Sequence, residues 1–121
     1  MMWPTNPIDR ESLMTRVGGD EELFTEVIQL FLLDCPLGVA AIKAAVESGD
    51  PEQVRLAAHA LKGSAGNLSA TALTSAARTL ERLGTERRLE AAPAAFRNLA
   101  AQAALAMDVL RQWVPVPVEV R

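Results

Sequence analysis

The sequence predicts an all-α fold: an antiparallel, up-down four-helix bundle preceded by one short extra helix. Three observations carry that reading. Half of the 121 residues are apolar, yet only three are Phe and two Trp, with no Tyr. Many of the rest are alanine and leucine, which favour helix interiors, and β-branched segments are few. Apolar residues recur at helical spacing in four substantial segments, and caps and stops divide those segments by short loops. The chain reads as a single domain over 1–121, with the bundle at about 8–112 and an extended tail at 114–121. That length suffices for one modest core.

The elements follow in order. Asp9 caps a short first helix, with Ile8 before the cap and Leu13 at the fourth helical position forming a hydrophobic staple. Gly18-Gly19 ends it, and Asp20 caps the next helix, where Glu21 and Glu22 suit the positive end of the helix dipole. The second helix carries an apolar stripe of Phe24, Val27, Ile28, Phe31, Cys35, Val39, Ile42 and Val46. Pro36 lies inside it and is expected to kink it, because proline lacks an amide donor and crowds the preceding turn. After Gly49, the run Asp50-Pro51-Glu52-Gln53 reads as cap, proline at the first position and capping-box glutamine.

A third helix is expected over roughly 51–68. Ser69 or Thr71 caps a fourth, with the stripe Leu73, Ala76, Leu80 and Leu83; Gly84 stops it and Thr85 restarts the chain. The last helix places Phe96, Leu99, Ala103, Leu110 and Trp113 on one side, with Pro93 as a kink or a late start. Val114-Pro115-Val116-Pro117-Val118 cannot continue as regular helix and is expected as an extended tail.

Composition excludes several functions. The net charge is −3 at pH 7, so no general basic field favours nucleic acid. Cys35 is the single cysteine, which rules out an intrachain disulfide and fits a reducing compartment. The most apolar run, Val27 to Leu33, ends at Asp34 and is too short to span a bilayer. The start Met1-Met2-Trp3-Pro4 lacks the basic and apolar segments of a secretory signal, so a cytoplasmic location without membrane insertion is expected.

Helical arithmetic places the chemistry. At about 100° per residue, Val54, Ala58, Leu61, Ala65 and Leu68 share one face of the third helix. That face is the core stripe. His59, the only histidine, falls roughly 140° from its centre, on the solvent side. Arg55, Gly63 and Gly66 share that outward sector, Lys62 flanks it, and Leu56 also faces away from the core. Two glycines in a helix interior are each less favourable than alanine by about 0.8–1.0 kcal/mol. Close approach of another molecule beside His59 offsets that loss. Histidine changes charge near neutral pH, and its neutral ring nitrogen is a nucleophile. An ammonium one turn away can hold an anionic group placed on the ring.

At these residues the sequence resembles the histidine-containing phosphotransfer (HPt) domains of two-component phosphorelays. The motif stands here as His59-Ala60-Leu61-Lys62-Gly63-Ser64-Ala65-Gly66-Asn67-Leu68. Gly18-Gly19-Asp20 with Glu22-Leu23, and Gly49-Asp50 before the histidine helix, also resemble the family, and the likeness covers roughly residues 8–112. Ser69 departs from it, standing where the family usually has a glycine at the exit from the histidine helix, and is expected to cap instead.

The resemblance implies that His59 is the phosphoacceptor, that Lys62 helps hold the phosphoryl group, and that Gly63 and Gly66 leave room for a partner. Leu56 and Arg55 are the further docking candidates. The partner is a response-regulator receiver domain, including that of a hybrid sensor histidine kinase, which brings the aspartate and the Mg²⁺. The chain itself is expected to be a monomer with no cofactor of its own. It holds no GxxxxGK[ST] loop, so neither ATP binding nor autokinase activity is expected.

Other readings fit the residues less well. A non-phosphorylated helical adaptor that binds receivers would not need both His59 and Lys62. An enzyme could draw on Glu52 near His59, but no third group is evident. A metal site would have one histidine and a distant cysteine.

Overall fold

In the computed structural model the described residues are 6–115. Five α-helices are present: α1 (Arg10–Arg16), α2 (Glu21–Ser48), α3 (Pro51–Asn67), α4 (Thr71–Thr85) and α5 (Ala92–Gln112), with a single 3₁₀ turn, Leu89–Ala91, leading into α5. Among the described residues there is no strand. Helices α2 to α5 pack each on the next, and α5 returns to α2, closing the four-helix bundle. Packing is most extensive between α3 and α4.

The caps anticipated from sequence form at three helix starts. Asp9 accepts from the Ser12 amide, Asp20 from the Leu23 amide, and Asp50 from the amides of Glu52 and Gln53. Ile8 and Leu13 are both buried as a staple. The short α1 closes one end of the bundle. Its Arg10 guanidinium lies 4.7 Å from the ring centre of Phe24 and 4.9 Å from that of Trp113. Thus α1 is tied at once to α2 and to the end of α5. Pro93 proves to be a late start: it lies in the first turn of α5, where a missing amide is tolerated.

Two expectations at α4 are corrected. Neither Ser69 nor Thr71 caps it; the N-cap is Ala70, which has no capping side chain, and Thr71 is already helical. Ser69 instead takes φ +57°, a left-handed conformation. Its amide bonds to the Gly66 carbonyl and the next amide, of Ala70, to the Ala65 carbonyl, which is the Schellman ending of α3. Its hydroxyl is drawn to Ser12 Oγ, 3.1 Å away on α1. Ser69 thus occupies a left-handed position at the exit from α3.

Nor does Gly84 stop the helix, which runs on to Thr85. A Cβ on Gly84 would lie 2.7 Å from the Pro51 carbonyl oxygen and 2.7 Å from the Arg55 amide nitrogen. The glycine is there because α4 touches the backbone of the first turn of α3.

The run Val27–Leu33 is not the limit of the apolar segment. Helix α2 continues through Asp34 and Pro36, and as a whole it has the length and composition to cross a bilayer. In the bundle it serves as a core helix, burying Phe24, Ile28, Phe31, Cys35, Ile42 and Ala45. Its outer side leaves Leu30, Leu33 and Leu37 exposed. Beyond α5, only Val114 and Pro115 of the expected tail fall within the described residues; 116–121 lie outside them.

Candidate functional site

Helix α3 is set by its cap and by burial of one stripe: Val54, Ala58, Leu61 and Ala65 are in the core. His59 then points outward, with 63% of its side chain exposed, as the helical arithmetic requires. Lys62, one turn further, is drawn towards α4 and keeps only 27% exposure.

What draws it is Glu81, a residue the sequence reading does not single out. Glu81 sits on α4, one turn before Gly84, where that glycine lets the two helices touch. Its Oε1 accepts from Lys62 Nζ at 2.6 Å, and its Oε2 lies 2.6 Å from His59 Nδ1. Both carboxylate oxygens are thereby used. The Lys62 hydrogen bond, foremost, holds the Glu81 carboxyl below its ordinary value of 4.5; partial burial opposes this, and the His59 hydrogen bond adds to the lowering. An ionised carboxylate can only accept, so His59 must carry its proton on Nδ1. In a neutral imidazole that tautomer makes Nε2 the free acceptor, and among the described residues Nε2 has no protein partner.

The other sequence candidates surround this trio. Arg55, one turn before His59, is paired with Glu52 of its own helix, so Glu52 is engaged there rather than with the imidazole. Leu56 is exposed. A Cβ on Gly63 or Gly66 would meet nothing within 4 Å. Among the described residues nothing therefore requires these two glycines, in contrast to Gly84. Their bareness clears the surface beside the imidazole. On the far side of α3 a groove runs between Ser64 and Asn67 and the α2 residues Val27, Leu30, Phe31 and Asp34. A second, smaller hollow continues it to Ala60, next to His59. Neither the groove nor the exposed leucines of α2 were singled out by periodicity, which marks a core stripe but not a second apolar ridge beside it.

Known proteins bear on this arrangement in three ways. The Hpt domain model matches residues 26–113, which include all of α3, α4 and the His59–Lys62–Glu81 cluster. The fold matches the crystal structure of histidine-containing phosphotransfer protein B (HptB) from Pseudomonas aeruginosa PAO1 with a TM-score of 0.83. That match has 24% sequence identity and covers 90% of this chain and 95% of the other. No curated protein sequence matches. A family match over most of the chain, on a bundle of the same architecture, leads to one conclusion: this chain belongs to the Hpt domain family, the histidine phosphotransfer carriers of two-component phosphorelays.

Proposed function

We propose that His59 is the residue through which this Hpt domain carries its phosphoryl group, taking it from a receiver-domain aspartate and passing it to another. One observation carries the assignment. Phosphotransfer in this family runs through a histidine, and His59 is the only histidine in the chain, exposed in the middle of the matched region. In the transfer, the Nε2 lone pair forms the N–P bond while the P–O bond to the aspartyl oxygen breaks, its electron pair leaving with the receiver's carboxylate. Such transfer depends mainly on positioning and charge stabilisation. Lys62 supplies the nearby cation, within a turn of the imidazole.

The receiver brings the Mg²⁺; this chain has no cofactor of its own, binds no ATP and does not phosphorylate itself. Bare Gly63 and Gly66 admit the receiver, while Leu56, Arg55 and the exposed leucines of α2 supply contact area around the imidazole. The domain works as a monomer in the cytoplasm, without inserting into the membrane or binding nucleic acid, and its receivers include that of a hybrid sensor kinase. Incubation with phosphorylated receiver domains tests the assignment: acid-labile phosphate should enter the wild-type protein and not His59→Gln. Labelled His59→Gln would overturn it.

A further inference from the structure

His59 has a cation one helical turn away on each side: Lys62 three residues after it and Arg55 four residues before it. Side chains of a helix lean towards its N-terminus, so the imidazole overhangs the turn that carries Arg55. The guanidinium is turned one turn further back, to Glu52, with Nε 2.9 Å from Oε1 and Nη2 2.5 Å from Oε2. The Glu52 hydrogen bond, foremost, holds the Arg55 guanidinium above its ordinary value. The charge of Glu81, the partner of the imidazole, adds to this, so Arg55 already lies within the field of the His59 cluster. We propose that Arg55 is a second phosphoryl-binding cation, held in reserve by Glu52: once His59 is phosphorylated, its guanidinium exchanges the Glu52 carboxylate for the phosphoryl oxygens. This rests on His59 being the phosphoacceptor.

Reach, charge and release all favour the exchange. Residues four apart on a helix have Cβ atoms about 5–6 Å apart, a distance an extended arginine spans. The Arg55 and Glu52 side chains are 36% and 59% exposed, and an ion pair so open to solvent holds weakly. A phosphoryl group offers nearly two charges and three acceptor oxygens against the single charge of a carboxylate. The planar guanidinium meets it with two parallel donors. Glu52, once released, remains in the first turn of α3, where the positive end of the helix dipole suits a carboxylate. Only hydrogen bonds change hands, and the N–P bond to Nε2 is untouched.

The test compares wild type, Arg55→Gln, Glu52→Gln and the double variant, each phosphorylated with phosphoramidate. Its P–N bond breaks as Nε2 takes the phosphoryl group, and ammonia leaves. No receiver is present, so docking does not enter the readout. Phosphorus NMR against pH gives the midpoint at which the phosphoryl group loses its last proton. Lys62 and Glu81 are common to all four proteins.

A bound guanidinium favours the dianion, so the midpoint should rise by about half a pH unit in Arg55→Gln and fall by a similar amount in Glu52→Gln. Each is about a threefold change in proton binding, the scale of an exposed ion pair. The double variant should match Arg55→Gln, because Glu52 acts through the arginine. Equal midpoints in wild type and Arg55→Gln overturn the proposal. So does a double variant that lies as far below Arg55→Gln as Glu52→Gln lies below wild type, since Glu52 then acts by its own charge alone. Circular dichroism establishes that each variant is folded, and Arg55→Ala replaces Arg55→Gln if that one is not. Phosphate on His59→Gln would instead overturn the phosphoacceptor assignment beneath it.

Discussion

Replacing Gly84 by alanine should loosen the joint on which the site depends. The new Cβ would lie 2.7 Å from two backbone atoms of α3 and 3.0 Å from the Arg55 Cα. Ordinary contact begins near 3.4 Å, so α4 must withdraw by about 0.7 Å. Backbone atoms cannot rotate aside as a side chain can. Overpacking of this kind typically destabilises by about 1–3 kcal/mol. Alanine returns about 1 kcal/mol through its helix propensity, leaving a net loss of up to about 2 kcal/mol. For a domain of this size, that lowers the melting temperature by up to about 8 °C.

Gly63→Ala is the control, because its Cβ meets open space and the helix preference is unopposed. It should gain about 0.8–1.0 kcal/mol. Circular dichroism melts and urea titrations on both variants measure the two signs. In Gly84→Ala, the imidazole resonances of His59 should also move, since Glu81 is displaced with α4. A Gly84→Ala protein as stable as Gly63→Ala would refute the reasoning.

Further outcomes follow from the same geometry. Ser69→Gly should stabilise the domain by up to about 1 kcal/mol in urea unfolding, because glycine accepts φ +57° without the penalty of a Cβ; loss of the Ser12 hydrogen bond partly offsets this, and a clear destabilisation would show that bond to dominate. Lys62→Ala should slow phosphoryl acceptance or shorten the phosphohistidine lifetime while changing stability by less than about 1 kcal/mol, since the pair it loses is partly exposed; unchanged transfer and lifetime would remove Lys62 from the mechanism. Gly63→Leu should weaken receiver binding, measured by titration calorimetry, without lowering the melting temperature; equal binding would refute the clearance argument. Because the folded-state value of Glu81 is depressed below 4.5, its contribution to stability is present above that value and is lost as pH falls through the lower folded-state value. Glu81→Gln should therefore flatten the acid limb of a stability–pH profile, and an identical limb would count against the ion pair.

The residues that were legible beforehand are those whose role is local. Asp9, Asp20 and Asp50 cap because each can bond amides two or three residues on, whatever else the chain does. His59 points outward because helical geometry and a buried stripe leave it no other direction. Sequence and structure part where a residue answers to a distant segment. Gly84 looked like a helix stop, and its reason lies at Pro51 and Arg55; Ser69 looked like a cap, and its hydroxyl is taken by Ser12.

By itself, then, the sequence determined the helices, their faces, and the placement of one imidazole, one ammonium and two bare positions on a single surface. Only the tertiary structure decided which carboxylate meets them. Glu81 is 22 positions from His59 on another helix, and no periodicity within one helix can select it from the chain's other acidic residues. The selection comes from the crossing of α3 and α4, and Gly84 sets how close that crossing is.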